Sequence, residues 1–411
     1  MEKQELLRSL PQADKVLASP ELKKFFDKLD RSVVLSSARC VLEQMRQGIL
    51  SGQTTSKSTL EDVVSATVTL LEDKLAPKHY NVINATGIIL NTSLGRAPFA
   101  PEVSKHIYEG IKGYVRLAAH PETGKRFDRD ILVGRMLAEI FGTESATFVN
   151  NNAAATYLVL SALTAGTEVI VSRGQLVEIG GKFRIPDVMA ASGAKLVEVG
   201  ATNRTHLRDY ENAITENTGA ILRVHTSNYR IKGFTSMPGI EELAPLAHSH
   251  DILCIDDIGS GQAIDFVPHG LPNDYPVFQS VEANADIVCF SGDKLLGSVQ
   301  SGIILGADEP IQKIRKHPLA RAFRVDKMTV LGLEATMRLY YQRDKVTQKV
   351  PALRMLFTPL EQLKDLAHEV ADKISHSFSA KAAQDETFVG GGSLRRTSTF
   401  APGPYDFRIP K

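Results

Sequence analysis

The chain has 411 residues, of which 43% are hydrophobic and 23% charged, and its formal net charge is +1. This composition is ordinary for a globular protein, and the near-zero charge gives no indication of DNA or membrane binding. The three cysteines, Cys40, Cys254 and Cys289, lie far apart, which excludes a metal-binding spacing and makes disulfides unexpected. No signal peptide begins at Met1 and no apolar run reaches membrane-spanning length, so we expect a cytoplasmic protein.

Residues 1–75 are predicted to form a helical domain. Apolar residues recur at three- and four-residue spacing from Val33 to Ile49, which predicts a helix with one apolar face, and a second helix is expected from Leu60 to Leu75. Basic and acidic side chains balance in this segment, so its charge does not indicate RNA binding. From the pattern alone, a small helical cap on the main domain is the favoured interpretation.

Residues 76–325 are predicted to form one large α/β domain. Apolar, strand-like runs alternate with helical stretches, which is typical of a mainly parallel sheet covered by helices on both faces. The expected strands span residues 146–149, 168–172, 195–199, 220–225, 252–255, 287–290 and 303–305. A linking helix and a partial small C-terminal domain are expected over 326–394, followed by an unstructured tail over 395–411.

The loop 291–297 carries Lys294 between the last two predicted strands. A lysine on a short Ser/Gly loop after an apolar strand is where a pyridoxal phosphate Schiff base is expected, since the amine must be rigid and partly desolvated to attack an aldehyde. Alone, this loop is better explained as an ordinary turn with a solvated lysine. Two other strand ends change that interpretation, because ligands of such sheets bind at the carboxyl ends of the strands.

Residues 150–155 read Asn-Asn-Asn-Ala-Ala-Ala, directly after the strand that ends at Val149. Asn caps helices well, and small residues let a helix N-terminus approach an anion closely. Asn151, Asn152 and Ala153 are therefore candidates for binding the cofactor phosphate. A plain Asn-capped helix is the alternative.

Asp256 closes another buried strand, and Asp257 follows it before a Gly-rich turn. A buried carboxylate needs a partner, and the protonated pyridine nitrogen of pyridoxal phosphate is one. We assign this role to Asp256 because it continues the strand, whereas Asp257 is expected in the turn. A metal ligand or a helix cap is the alternative for both.

Arg321 and Arg324 are three positions apart and share a face if their segment is helical. Two guanidiniums on one face suit a phosphate-like anion, and Arg96 is a third candidate. Exposed arginines in solvent salt bridges explain the spacing at least equally well.

Together these stretches resemble one family, the bacterial selenocysteine synthases, which are L-seryl-tRNA(Sec) selenium transferases. The resemblance runs from the N-terminus to about Leu394. The matching blocks are residues 7–11, 14–15, 83–87, 94–97, 149–155, 176–181, 183–186, 202–205, 224–229, 291–297 and 317–327.

The resemblance implies an α/β fold of the aspartate aminotransferase-like type (fold type I), with pyridoxal phosphate on Lys294. It implies conversion of Ser-tRNA(Sec) to selenocysteinyl-tRNA(Sec) with selenophosphate, through a cofactor-bound aminoacrylate. It further implies that the N-terminal helical domain binds the tRNA and that the chain forms a homo-oligomer, a ring of dimers.

The resemblance also implies roles for individual residues. Arg96, Arg321 and Arg324 match arginines that hold the selenophosphate anion. Asp293, beside the lysine, matches a residue that handles protons, and Asn228 is counted with the cofactor-binding residues.

Some positions depart from the family's pattern. Asn91 and Ser93 replace a His and an Asn, and residues 297–300 lack a second Gly and a Pro. The basic loop 125–129 matches only partly, which argues against an active-site role for Arg126 and Arg129. From about residue 395 the sequence no longer resembles the family, and we expect a truncated, loosely packed small domain.

Two alternative functions remain. One is a pyridoxal phosphate-dependent lyase acting on a small amino acid or an amino-sugar acid, and the other is an inactive paralogue that still binds tRNA. The N-terminal block and the Arg321/Arg324 pair favour the transferase over the lyase. The intact Lys294 and Asp256 argue against an inactive chain.

Overall fold

The computed structural model describes residues 3–180, 183–229, 231–384, 388–390 and 405–407. The chain divides into two compact units, Met1–Ile83 and Asn84–Lys411. The finer domain boundaries expected from the sequence stay predictions. None of the helices in the described ranges has both the length and the apolar character needed to cross a lipid bilayer.

The described part of the first unit is helical. Its helices are α1 (Lys3–Ser9), α2 (Ala13–Leu17), α3 (Pro20–Lys23), α4 (Arg31–Leu50) and α5 (Leu60–Leu75). Helix α5 begins at a capping box, in which the Thr59 side chain accepts from the Asp62 N–H and the Asp62 carboxylate accepts from the Thr59 N–H. Val34, Ala38 and Val41 of α4 belong to the buried core with residues of α2 and α5, so the predicted apolar face is confirmed.

The second unit is built on a sheet that has seven strands in the described residues. The described strands of the whole unit are β1 (Ile88–Leu90), β2 (Ser145–Val149), β3 (Glu168–Ser172), β4 (Glu178–Ile179), β5 (Phe183–Arg184), β6 (Lys195–Val199), β7 (Thr218–Val224), β8 (Leu253–Gly259), β9 (Ile287–Ser291), β10 (Gly302–Gly306), β11 (Ala382–Gln384), β12 (Phe388–Gly390) and β13 (Tyr405–Phe407). The large sheet has the order β2-β10-β9-β8-β7-β3-β6, and all neighbours are parallel except β10, which is antiparallel to β2 and β9. The predicted mainly parallel sheet is confirmed.

Helices cover both faces of this sheet. They are α6 (Pro101–Ile111), α7 (Ile131–Phe141), α8 (Asn152–Leu163), α9 (Ile185–Ser192), α10 (Leu207–Glu211), α11 (Ile240–Ser249), α12 (Val277–Glu282), α13 (Asp308–Lys316), α14 (Pro318–Ala322), α15 (Lys327–Tyr340), α16 (Arg343–Lys349), α17 (Pro351–Leu356) and α18 (Leu360–Ile374). Val288 and Phe290 of β9 pack with α6, α7 and α15, whereas Ile287 and Cys289 pack with α8, α9 and α13. Successive strand residues thus enter two different cores, which explains the continuous apolar runs.

Short strand pairs complete the second unit. Strand β1 pairs parallel with β12, while β4 with β5 and β11 with β13 are antiparallel. Strand β13 lies within the segment 395–411, for which the sequence predicts no structure. The rest of that segment lies outside the described residues.

Candidate active site

Lys294 lies in the connection between β9 and β10, at the carboxyl end of β9. Backbone hydrogen bonds close this loop: the Gly292 N–H donates to Ser301 O at 2.8 Å, and the Gly297 N–H donates to Lys294 O at 3.0 Å. A Cβ on Gly292 would lie 2.2 Å from Ser301 Oγ, so the two sides of the loop approach only because glycine is present. The lysine is therefore held on a tightly closed loop.

The Lys294 side chain is buried, with 8% of the residue exposed. Its pKa is lowered to about 8, chiefly by burial and next by the positive charge of Arg96, against the opposing effects of Asp257 and Asp293. A lysine of this kind offers more of the neutral, nucleophilic amine near neutral pH than an exposed lysine does.

Lys294 lines a cavity of about 300 Å³. Its other walls come from the carboxyl ends of β7, β8 and β9, from the start of α8, from the β4–β5 hairpin and from the segment that follows β1. Polar lining residues that bear on the chemistry are Arg96, Asn151, Asn152, His225, Ser227, Asp257 and Gln300.

Asp257 lines this cavity from β8. Asn152 Nδ2 donates to its Oδ1 and Thr156 Oγ1 donates to its Oδ2, both at 2.8 Å. None of the ion pairs found among the described residues includes Asp257, and burial raises its pKa. A buried carboxylate held by neutral donors is able to accept a further, cationic partner.

Asp256 lies on the opposite face of β8, because successive side chains of a strand alternate. Arg223 of β7 donates to both of its oxygens, Nε to Oδ1 at 2.8 Å and Nη2 to Oδ2 at 2.6 Å, and Ser280 also donates to it. The assignment of Asp256 to the cofactor nitrogen is therefore corrected, since its charge is already paired. Strand β8 continues to Gly259, so Asp257 is a strand residue and not a turn residue.

Helix α8 begins at the cavity. Asn151 caps the helix, its Oδ1 accepting from the Ala154 N–H at 2.9 Å. The Oδ1 atom of Asn152 is buried and has no hydrogen-bond partner among the described residues. The free N–H groups of a first helical turn bind anions, and Asn151, Asn152 and Ala153 all line the cavity of Lys294.

Arg96 lines the same cavity in a strained backbone conformation. Its φ is 64°, which is uncommon for a residue with a side chain, and it follows Gly95 at 89°. Arg96 Nη1 lies 2.5 Å from Asp293 Oδ2, and the Ala97 N–H donates to Asp293 O at 3.3 Å. The structure thus brings Arg96, Asp293 and Lys294 together.

Sequence comparisons identify the family. Residues 82–400 match the family model of L-seryl-tRNA selenium transferase, and residues 7–46 match the model of the selenocysteine synthase N terminal region. This chain belongs to the L-seryl-tRNA selenium transferase family. An L-seryl-tRNA(Sec) selenium transferase of Carboxydothermus hydrogenoformans is 45% identical over 397 residues, which is 96% of this chain and 85% of the relative. Its counterpart in Desulfotalea psychrophila is 45% identical over 402 residues, with the same two shares.

A solved structure supports the fold of the selenium transferase chain. D-glucosaminate-6-phosphate ammonia-lyase matches it with a TM-score of 0.57 and 22% identity, over 79% of this chain and 80% of the other. At that identity the likeness shows the fold and does not favour the lyase alternative. The predicted aspartate aminotransferase-like (fold type I) α/β fold and the predicted enzyme family are confirmed, and they support pyridoxal phosphate as the cofactor.

The cavity of the selenium transferase fits pyridoxal phosphate. An aldehyde needs a reactive lysine, a protonated pyridine nitrogen needs a carboxylate, and a phosphate suits a helix N-terminus. Lys294, Asp257 and the first turn of α8 supply these three groups around one cavity. The unsatisfied Oδ1 of Asn152 is a further polar atom that a ligand can satisfy.

Arg321 and Arg324 do not line the cavity of Lys294. They line a second cavity of about 580 Å³, whose other arginines are Arg126, Arg129 and Arg315. Burial and then the positive charge of Arg324 lower the pKa of Arg129 there. The expected grouping of Arg96 with Arg321 and Arg324 is therefore not found within one chain.

Asn228 also lies away from the lining of the Lys294 cavity. Its Nδ2 donates to Glu178 O at 2.8 Å, which holds the β4–β5 hairpin. His225 and Ser227 line the cavity instead, and the His225 ring is fixed by a 2.7 Å hydrogen bond between Nδ1 and Ile258 O. His225 and Ser227 could have been found from the sequence, because they are polar residues that directly follow the apolar strand β7.

Proposed function

We propose that this chain transfers selenium from selenophosphate to the seryl group of Ser-tRNA(Sec), with pyridoxal phosphate bound to Lys294. The observation that carries the proposal is the single cavity shared by Lys294, Asp257 and the start of α8. When bound, pyridoxal phosphate supplies an electron sink, which makes the seryl Cα–H acidic and helps the β-hydroxyl to leave.

Lys294 has two tasks in this proposal. Its neutral amine binds the cofactor aldehyde, and a pKa near 8 keeps enough of that form available. With the seryl substrate held by the cofactor in place of the lysine, Lys294 Nζ would be free to take the proton from the seryl Cα.

Asp257 and α8 orient the cofactor. The Asp257 carboxylate, held by Asn152 and Thr156, keeps a proton on the ring nitrogen. The N–H groups at the start of α8 bind the phosphate, together with the amide Nδ2 of Asn151, whereas the Asn152 amide donates to Asp257.

Arg96 binds the selenium donor, since a guanidinium matches a phosphate-like anion. Once Arg96 turns to the anion, Asp293 would be free to take up the proton that Lys294 has removed from the seryl Cα and to deliver it to the departing β-hydroxyl, which leaves as water. Arg321 and Arg324 line another cavity of their own chain, so a neighbouring copy has to supply them to the anion site. A homo-oligomer is for this reason part of the proposal, and its form as a ring of dimers rests on the family resemblance alone.

The first helical unit binds the tRNA in this proposal. Its support is the match of residues 7–46 to the N-terminal family model, since its charge balance alone does not indicate RNA binding. An aminoacyl-tRNA substrate also assigns the reaction to the cytoplasm.

Removal of the lysine tests the proposal. The protein reconstituted with pyridoxal phosphate is expected to show the visible absorbance band of a lysine-bound cofactor and to form selenocysteinyl-tRNA(Sec) from Ser-tRNA(Sec) and selenophosphate. Lys294→Ala is expected to lose both, whereas Lys316→Ala, at an exposed lysine in the last turn of α13, keeps both. A band that survives in Lys294→Ala refutes the assignment of the cofactor to this residue.

Product analysis separates the alternatives. Elimination of water or ammonia from a free amino acid or an amino-sugar acid, without turnover of Ser-tRNA(Sec), would favour the lyase. A visible band with neither reaction would indicate an inactive chain.

A further inference from the structure

Thr156 lies on α8, four residues after Asn152, and only 2% of it is exposed. Its Oγ1 is 2.8 Å from Asp257 Oδ2 and 3.0 Å from the carbonyl oxygen of Asn152. Residues four apart lie on the same face of a helix. The Asn152 amide and the Thr156 hydroxyl therefore meet the two oxygens of one carboxylate.

The single proton of the Thr156 hydroxyl is available to one acceptor at a time. An ionised carboxylate only accepts hydrogen bonds, so Thr156 donates to Asp257 when that group is charged. A proton on Oδ2 of Asp257 would have to face Thr156, whose own proton would turn back to the Asn152 carbonyl. A proton on Oδ1 would face the Nδ2 donor of Asn152 and break that bond. The hydroxyl of Thr156 is thus coupled to the charge state of Asp257.

The groups around Asp257 act on its charge in both directions. Burial raises the pKa of Asp257 most, and the bonds from Asn152 and Thr156 are the first effects that lower it; Lys294 lowers it next, and Asp256 raises it. Cys289, opposite Asp257 on β9, is uncharged because burial raises its own pKa well above the ordinary value. The two hydrogen bonds are therefore the main effects that oppose the rise in the pKa of Asp257 caused by burial.

We infer that Thr156 is a positioning residue of the reaction, which fixes the orientation of Asp257 and keeps its carboxylate ionised for the ring nitrogen of pyridoxal phosphate. The inference rests on the proposed function, since it requires the cofactor on Lys294. Thr156 is not among the residues that line the cavity, so it acts through Asp257.

Three variants isolate the hydroxyl. Thr156→Val removes it and nearly keeps the shape of the side chain, while Thr156→Ser retains it. Thr164→Val is the matched control, because Thr164 follows the same helix, is fully buried and donates to a carbonyl, Leu160 O, at 2.8 Å rather than to a carboxylate.

Each protein is titrated with pyridoxal phosphate, and three quantities are measured: the dissociation constant, the pH dependence of the visible band and the melting temperature. Thr156→Val is expected to bind about tenfold more weakly, the size of a lost hydrogen bond to a charged group, and to shift the midpoint of the pH dependence. Thr156→Ser is expected to restore both, and Thr164→Val to lower the melting temperature alone.

Unchanged cofactor affinity in Thr156→Val, or an equal loss in Thr164→Val, would overturn the inference, because both outcomes make the hydroxyl purely structural. If Thr156→Val does not fold, Thr156→Ala takes its place against the same control. A wild-type protein without a visible band contradicts the proposed function itself, so the two failures are distinguishable.

Discussion

The two faces of strand β8 use neighbouring carboxylates in different ways. On one face, Asp256 is fully buried and paired with Arg223 through two hydrogen bonds. On the other face, Asp257 receives neutral donors and lines the cavity of Lys294. A carboxylate that is neutralised inside the protein supports the structure, whereas one that awaits a cationic ligand supports the chemistry. Under the proposed function, neighbouring residues of β8 thus serve stability in one case and cofactor binding in the other.

Asp256→Asn is expected to have the largest effect, because it leaves the buried guanidinium of Arg223 without a counter-charge. Breaking one side of a buried ion pair lowers the free energy of unfolding by about 3–5 kcal/mol, which denaturant titration measures. The double variant Arg223→Met with Asp256→Leu removes both charges and is expected to recover most of that loss. A single variant as stable as the wild type would show that the pair does not support the structure.

Asp257→Asn is expected to change activity and to leave stability intact. Loss of the charge that holds the ring-nitrogen proton is expected to lower the rate of selenocysteinyl-tRNA(Sec) formation about a hundredfold or more, the size of a lost electrostatic stabiliser. The melting temperature is expected to stay the same or to rise, because a buried charge without a cationic partner is removed. If both Asn variants lose the same stability, the two faces of β8 do not differ as described.

The fold and much of the cavity could be predicted because their signals are local. Continuous apolar runs marked the strands of the sheet, and the Ser/Gly loop of Lys294, the Asn-rich start of α8 and Arg96 each follow a strand or a turn in sequence. Since the carboxyl ends of parallel strands meet at one edge, such residues converge without knowledge of the packing.

The assignment of Asp256 was wrong because it depended on where β8 ends. The strand extends through Asp257 to Gly259. The Asp257 carbonyl accepts from the N–H of His225, directly after β7, so a neighbouring segment of the chain helps to set where β8 ends. A charged residue inside the apolar run of β7, Arg223, was the signal for a buried ion pair. The position of Arg321 and Arg324 depends on how they pack against residues that are distant in sequence. The spacing between the two arginines contains no information on that packing.

The pH dependence of cofactor binding tests Lys294, which lines the same cavity as Asp257. Its expected effect is the smallest of the three. The pKa of Lys294 is lowered to about 8 from 10.5, chiefly by burial and next by Arg96. Because only the neutral amine attacks an aldehyde, the rate of pyridoxal phosphate binding is expected to rise about tenfold per pH unit below that pKa and to level off above it.

The same pKa shift affects stability. The unfolded chain binds the Lys294 proton more strongly than the folded chain, so the free energy of unfolding of the cofactor-free protein rises with pH between the two pKa values. Arg96→Gln is expected to move the midpoint of the pH dependence of cofactor binding to higher pH, because the positive charge of Arg96 lowers the pKa of Lys294. Lys316→Ala is expected to leave this midpoint unchanged. A wild-type midpoint at the value of an exposed lysine would show that the cavity does not desolvate Lys294.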